Sequence, residues 1–278
     1  MKNFEIGLYE KSMPNTLTFK EKLLCAKECG FDFLEVSIDE TDEKLSRLDM
    51  DKKERLSLIN DMYEAGIYIR TMCLSGHRKY PLGSSDEKIR QKSLDIMQKA
   101  INLADDLGIR IIQLAGYDVY YEQSTKESKK YFEQNLRKCV EMASQKGIIL
   151  AFETMETEFM NTVQKAMYYV NKIDSPYLQV YPDCGNITNA CVMYDSNVLD
   201  DLDTGKGHIA ALHLKETVPG KFREISFGAG HVNFESVIKK SLDLGVRKFV
   251  AEFWYCGEEN WKDIIKDVKS FMDRKFQI

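Results

Sequence analysis

Four polar residues that can bind a metal ion stand at the ends of four successive apolar runs in the second half of the chain. The runs are Ala151-Phe152-Glu153, Tyr181-Pro182-Asp183, Leu212-His213-Leu214-Lys215 and Val250-Ala251-Glu252. Carboxylates and an imidazole suit Zn²⁺, Mn²⁺, Co²⁺ or Mg²⁺. Three carboxylates facing one another would repel and take up protons unless a cation lay between them. Each residue alone is equally compatible with a helix N-cap or a surface ion pair, so the predicted metal site depends on all four together.

These residues belong to a regular alternation of strand-like and helix-like segments. The predicted strands are Phe4–Tyr9, Phe33–Ile38, Ile67–Leu74, Ile109–Ala115, Ile148–Glu153, Leu178–Asp183, Ile209–Leu214 and Phe249–Trp254. The predicted helices are Phe19–Cys29, Lys52–Ala65, Glu87–Leu107, Lys126–Lys146, Thr162–Ile173, Asp195–Thr204, Phe234–Leu244 and Trp261–Phe276. Glycine repeatedly separates a helix from the next strand, as at Gly30, Gly66 and Gly108, where it can supply the left-handed residue that ends a helix.

Eight β–α units with apolar strands predict an α/β fold with a closed parallel barrel, (β/α)₈, built from residues 1–278 as a single domain. An open doubly wound sheet is the alternative, but the first strand is not followed by G-x-G-x-x-G. In such barrels chemistry sits at the carboxyl ends of the strands. We therefore expect Glu153, Asp183, His213 and Glu252 to converge on one rim.

Composition restricts the class of protein. The 278 residues are 44% hydrophobic and 30% charged, which is usual for a globular protein. A net charge of −5 disfavours nucleic acid as the main partner. The sequence lacks an apolar run long enough for a membrane span, a secretory signal pattern and any C-x-x-C pair among its seven cysteines. A cytoplasmic enzyme without a membrane partner is the expectation.

Several longer blocks resemble a known family. They are "GLYEKSMP" at 7–14, "GFDFLEVSIDETDEKLSRLDM" at 30–50, "MCLSGHRKYPLGS" at 72–84, "QLAGYDVYY" at 113–121, "YPDCGN" at 181–186, "GHIAALHLKETVPGKF" at 207–222 and "FGAGHVNFE" at 227–235. With them the chain resembles the xylose-isomerase-like TIM-barrel superfamily, and within it the L-ribulose-5-phosphate (L-xylulose-5-phosphate) 3-epimerase family of ascorbate utilisation.

The resemblance implies a reaction and a set of roles. Glu153, Asp183, His213 and Glu252 would hold one divalent ion, whose identity the sequence does not distinguish. Glu153 and Glu252 would also exchange the proton at C3 of a ketose phosphate through an enediolate, since C3 lies next to the carbonyl. Two carboxylates on opposite faces can each be the base for one epimer and the acid for the other. The resemblance also implies a homodimer.

Eight further residues are candidates for binding the substrate: Glu35, His77, Arg78, Asn186, Lys215, Lys221, Arg223 and Trp254. His77 and Arg78 follow the third strand and could bind the phosphate, with help from Lys221 and Arg223. The basic triplet to which they belong, His77-Arg78-Lys79, is in a loop, and such a triplet is more often simply solvated. Glu35 is assigned to the rim end of the second strand, where related enzymes often keep a substrate-contacting or orienting acid. Lys215 could bind a substrate hydroxyl or pair with Asp183.

Asn186 and Trp254 complete the set of candidates for binding the substrate. Asn186 stands in "DCGN", where related free-sugar epimerases carry a histidine, and this difference favours the sugar-phosphate branch. Trp254 either walls the pocket or packs in the core.

Two other functions remain compatible with these residues. An aldose–ketose or hexulose-phosphate isomerase could use the same metal and paired glutamates, and a non-catalytic barrel could bind a sugar phosphate. Endonuclease activity is disfavoured because it requires a more histidine-rich ligand set than a chain with four histidines offers.

Overall fold

Eight parallel strands form the centre of the molecule. The computed structural model describes residues 3–277. The strands are β1 (Glu5–Tyr9), β2 (Phe33–Ile38), β3 (Tyr68–Leu74), β4 (Ile111–Ala115), β5 (Ile149–Glu153), β6 (Leu178–Val180), β7 (Leu212–Leu214) and β8 (Lys248–Ala251). Their order, β6-β5-β4-β3-β2-β1-β8-β7, places β1 beside both β2 and β8. This order brings the first and last strands together, as a barrel requires.

The barrel closes between β6 and β7, which are its shortest described strands. Single parallel bridges join Val180 to Ile209 and Asp183 to His213 across this gap. The second bridge carries two of the predicted metal ligands. The predicted (β/α)₈ barrel is therefore confirmed, and its closure brings the site residues of β6 and β7 side by side.

Ten helices lie in the described range: α1 (Phe19–Glu28), α2 (Asp42–Ser46), α3 (Lys52–Ala65), α4 (Glu87–Leu107), α5 (Lys126–Ser144), α6 (Val163–Ile173), α7 (Cys184–Tyr194), α8 (Val198–Thr204), α9 (Phe234–Asp243) and α10 (Trp261–Lys275). Gly66 and Gly108 follow α3 and α4 with φ of 63° and 75°. Glycine adopts this region without the steric cost that a side chain adds, and the predicted helix ends are confirmed at these positions. None of the described helices combines the length and apolar character needed to cross a bilayer.

The segment after β6 differs from the prediction. The strand ends at Val180, three residues earlier than Asp183, and α7 then begins at Cys184. Asp183 is the N-cap of α7, because its side chain accepts a hydrogen bond from the backbone N–H of Asn186. The sequence analysis did not predict this helix, and it also missed the short α2. The aspartate of the "DCGN" block is a typical N-cap residue, but the apolar residues next to this block are equally compatible with a strand.

Candidate active site

The four predicted metal ligands form one buried cluster at the rim of the barrel. Glu153 is the last residue of β5, His213 lies in β7, Glu252 directly follows β8, and Asp183 caps α7. One ligand atom from each lies within 4.8 Å of the others. His213 Nδ1 is 3.2 Å from Glu252 Oε2, 3.6 Å from Glu153 Oε1 and 4.0 Å from Asp183 Oδ2. The imidazole therefore presents one nitrogen to all three carboxylates.

Asp183 uses its two oxygens differently. Oδ1 accepts the backbone N–H of Asn186 at 2.7 Å, so the N-cap hydrogen bond fixes the carboxylate plane. Oδ2 faces the cluster, where Lys215 Nζ lies 3.0 Å away. Asp183 Oδ2 and Glu252 Oε2 are both buried, and neither accepts a hydrogen bond of good geometry from the described residues. Such oxygens usually have a partner, and a cation would provide one.

Burial and mutual repulsion perturb the charges of this cluster. Burial raises the pKa of Asp183 well above its ordinary value, and burial likewise raises the pKa of Glu153. Burial opposes ionisation of Glu252 as well, but Lys215 and His213 outweigh it and hold the pKa of Glu252 well below the usual range. Three carboxylates thus share one small volume with one lysine and one histidine, and a divalent cation would stabilise all three in the ionised form.

The donor set fits a metal. Three carboxylate groups and one neutral imidazole nitrogen match the ligands of Zn²⁺, Mn²⁺, Co²⁺ and similar ions, and the atoms are already close enough to surround one. In the described range this is the group of acidic and histidine side chains that could hold a metal ion. The cluster does not indicate which ion is bound.

A cavity of about 350 Å³ opens directly above the cluster. Glu153 and Glu252 both line it. Six of the predicted substrate-binding residues also line it: Arg78, Asn186, Lys215, Lys221, Arg223 and Trp254. The two glutamates and a set of cationic side chains therefore face one space large enough for a small sugar phosphate.

Cationic groups lie on two walls of this cavity. On one wall Arg78 donates to Tyr117 Oη at 3.4 Å and lies over the ring of Tyr120, while its buried Nε lacks a partner among the described residues. On the other wall the Arg223 guanidinium lies 5.1 Å from the centre of the Trp254 ring. Arg78 is half-buried, whereas Arg223 is exposed. The unpaired nitrogen makes Arg78 the better placed of the two to take an anion.

The structure does not bring His77 or Glu35 to the cavity. His77 lies in the tight turn Gly76–Arg78, where successive side chains diverge, and its Nε2 is 3.1 Å from the carbonyl oxygen of Ser93. Burial lowers the pKa of His77 to about 4, so the ring is neutral at pH 7 and adds no charge for a phosphate. Glu35 is fully buried beneath the ligand cluster, where it contacts His213.

Sequence reasoning missed several residues that line the cavity: Tyr9, Lys11, Ser75, Met155, Glu156, Phe222 and Glu224. Tyr9 ends β1 and Glu156 follows β5 by three residues, so a consistent examination of every strand end would have found both. Phe222 and Glu224 lie in the long loop after β7, in which strand periodicity gives no signal.

Comparison with known proteins identifies the family of this chain. The xylose isomerase-like TIM barrel family matches residues 24–275. The L-ribulose-5-phosphate 3-epimerase UlaE of Shigella boydii serotype 18 is 43% identical over 269 residues, which cover 96% of this chain and 90% of that protein. The protein of the same name from Escherichia coli O157:H7 matches with the same identity and coverage.

Solved structures show the same fold at low sequence identity. The D-allulose 3-epimerase of a Methylomonas species, in complex with D-allulose, superposes with a TM-score of 0.81 at 15% identity and covers 99% of this chain and 98% of its own. An L-ribulose 3-epimerase gives 0.77 at 16% identity, over 99% and 95% of the two chains. The chain therefore belongs to the xylose isomerase-like TIM-barrel family and, within it, to the L-ribulose-5-phosphate 3-epimerases, which are isomerases.

Proposed function

We propose that this protein interconverts L-xylulose 5-phosphate and L-ribulose 5-phosphate by inverting C3. The observation that carries the proposal is the pair Glu153 and Glu252, which lie 3.6 and 3.2 Å from His213 Nδ1 and line one cavity. The 43% identity to proteins named L-ribulose-5-phosphate 3-epimerase supports the choice of substrate.

The residues divide the proton transfer between two faces. One glutamate removes the C3 proton, the C3–H electron pair forms the C2=C3 double bond, and the carbonyl π pair moves onto O2, which gives an enediolate. The opposite glutamate then delivers a proton to the other face of C3, which inverts the centre. Burial raises the pKa of Glu153, while Lys215 and His213 outweigh burial and lower the pKa of Glu252.

Glu153, Asp183, His213 and Glu252 would hold the divalent ion of this enzyme. When bound, such an ion supplies positive charge that stabilises an oxyanion next to C3. Lys215 adds a second positive charge: burial lowers its pKa, but Asp183 and Glu252 outweigh burial and keep its pKa above the ordinary value. Lys215 is therefore charged at pH 7 and lies where it can donate to a substrate oxygen in the cavity.

The phosphate is best accommodated by Arg78, with Lys221 and Arg223 on the opposite wall. A guanidinium binds phosphate through paired N–H groups, and half-buried Arg78 lines the cavity with an Nε that has no partner among the described residues. Trp254 and Asn186 would then contact the sugar. His77 and Glu35 are left out of this arrangement because their side chains face away from the cavity. Homodimer formation and a cytoplasmic location stay predictions.

The decisive experiment follows the C3 proton. The protein, loaded with Mn²⁺, Co²⁺, Zn²⁺ or Mg²⁺ in turn, is incubated with L-xylulose 5-phosphate in D₂O and monitored by NMR. We expect deuterium at C3 and a second set of signals from L-ribulose 5-phosphate. Chelator treatment should abolish both and one of the ions should restore them. An aldose product, with or without deuterium at C2, would identify an isomerase instead, and full activity of a verified metal-free sample would contradict the metal site.

A second experiment tests the phosphate contact. Arg78→Ala should raise KM for the phosphorylated ketose about 10- to 100-fold, because it removes charge-assisted hydrogen bonds, while kcat and the activity on free L-xylulose change little. Lys79→Ala is the matched control, since Lys79 is exposed and its ammonium lies 3.9 Å from Asp42 rather than in the cavity. An equal loss on both substrates would show that Arg78 does not bind the phosphate.

A further inference from the structure

A fully buried carboxylate lies in the barrel interior below the ligand cluster. Glu35 is the third residue of β2, and its backbone is level with Tyr9 of β1 and Thr71 of β3. Its side chain points into the barrel and is absent from the cavity lining. A buried charge in this position requires compensating contacts.

Three polar groups surround Glu35, and each makes a short hydrogen bond. Thr71 Oγ1 donates to Oε2 at 2.7 Å and Tyr181 Oη donates to the same oxygen at 2.9 Å. Oε1 lies 2.6 Å from Nε2 of His213. One carboxylate oxygen is thus held by two hydroxyl groups, and the other is directed at the histidine. This arrangement leaves Glu35 no freedom to turn toward a substrate.

The contact with Glu35 determines which side of the His213 ring faces the cluster. When Nε2 donates its hydrogen to Glu35, the lone pair of a neutral ring is on Nδ1. Nδ1 is the nitrogen within 3.2 to 4.0 Å of the three carboxylate ligands. A flipped ring would lose the 2.6 Å contact and leave Glu35 with an unpaired oxygen.

Neighbouring side chains pack closely around the His213 ring. The amide nitrogen of Gln113 lies 3.1 and 3.2 Å from the two ring nitrogens, and the Tyr181 ring packs edge-on with centroids 4.9 Å apart. Tyr181 therefore contacts both His213 and Glu35. The histidine and its acid are parts of one packed network drawn from β2, β3, β4 and β7 and from the segment after β6.

We propose that Glu35 is a positioning residue that holds His213 with Nδ1 toward the metal, and that it sets metal affinity without touching the substrate. The proposal depends on the metal site of the proposed function. Outer partners of ligating histidines typically contribute about 10- to 100-fold in metal affinity. Glu35 should act on that scale, because it is the hydrogen-bonding carboxylate of the only histidine in the ligand set.

The test measures Co²⁺ binding without any sugar. Metal-free wild type, Glu35→Gln and Glu35→Leu are titrated with Co²⁺ against a competing chelator, and the visible absorption of the bound ion is recorded. We expect Kd to rise about 10-fold for Glu35→Gln, which keeps a hydrogen-bonding group, and about 100-fold for Glu35→Leu. Thr71→Val is the matched control. It removes one hydroxyl from the same carboxylate without touching His213, so its Kd should change less than about threefold.

Two further measurements separate positioning from other roles. Thermal unfolding of each metal-free variant checks that the barrel is intact, and Glu35→Gln serves alone if Glu35→Leu does not fold. At saturating Co²⁺, KM for the phosphorylated ketose should match that of wild type. Unchanged Co²⁺ affinity in a folded Glu35→Gln protein overturns the proposal, and so does a raised KM with unchanged affinity. If Co²⁺ binds as expected but C3 never exchanges, the proposed reaction fails while the role of Glu35 stands.

Discussion

Replacing either Glu153 or Glu252 with glutamine should lower the rate of epimerisation by at least about 10²–10⁴-fold, which is the contribution of a positioned general base. Glutamine keeps the shape of the side chain and one oxygen that can still bind a metal. The loss should therefore appear in kcat more than in substrate KM. Initial rates with each epimer, measured at saturating metal, give the fold-change in kcat and KM.

The two variants should differ in which proton they can still exchange. Glu153 ends β5 and Glu252 follows β8, and both line the cavity, so the proposed mechanism assigns each of them to one side of a flat enediolate. A Glu153→Gln protein keeps the base for one epimer and a Glu252→Gln protein keeps the base for the other. Incubation in D₂O should therefore show slow C3 exchange of a single epimer in each variant, without net conversion.

A matched control separates the bases from other acids of the cavity. Glu224 also lines the cavity, but it is exposed and is not part of the ligand cluster, so Glu224→Gln should retain activity within a few-fold. Single-turnover epimerisation that carries the substrate's own C3 deuterium into the product would contradict the two-base mechanism. That result would require one base that serves both faces.

The ligand cluster could be predicted because barrel geometry restricts where strand ends can lie. Glu153, Asp183, His213 and Glu252 each follow or close an apolar run, and parallel strands bring such positions to one rim. Asp183 reaches the rim although its strand ends earlier than predicted, because the N-cap hydrogen bond of α7 holds it there.

The interior and the loops could not be predicted in the same way. Glu35 has the sequence appearance of a rim acid, yet it is in the middle of β2 and points inward, because three residues of the strand follow it. His77 and Arg78 are adjacent in the sequence, but a tight turn sends one toward Ser93 and the other toward Tyr117. Their separate environments depend on packing against distant segments, which a single sequence does not specify.

A second buried acid is Glu10. Among the residues in the described ion pairs, its replacement should lower the free energy of unfolding the most. Glu10 follows β1, is fully buried and accepts hydrogen bonds from Lys22 Nζ and Lys44 Nζ, both at 3.2 Å, from Arg47, and from the backbone N–H of Ser37 at 2.8 Å. Lys22 and Lys44 are also buried. One carboxylate therefore pairs with three cationic side chains drawn from α1, α2 and the turn after α2.

Removing that carboxylate leaves buried positive charges without a partner. Glu10→Gln should lower the free energy of unfolding by about 3–5 kcal/mol, the usual effect of breaking a buried pair on one side. Urea denaturation of the metal-free protein measures it. Glu43→Gln, an exposed residue of α2, is the control and should change the free energy by less than about 0.5 kcal/mol. The double variant Glu10→Gln/Lys44→Met should regain part of the loss, because it removes one of the unpaired charges.

The dependence of stability on pH gives an independent check of the role of Glu10. Burial raises the pKa of Glu10, but Arg47, Lys22 and Lys44 outweigh burial and leave it below the ordinary value. A carboxyl group with a lowered folded pKa stabilises the protein above its unfolded pKa, and that contribution disappears as the pH falls through the folded pKa. The difference in stability between wild type and Glu10→Gln should therefore be constant near neutral pH and shrink in acid. A difference that stays constant down to the acid transition, or a variant as stable as wild type at pH 7, would show that Glu10 is not the charge that holds these three cations.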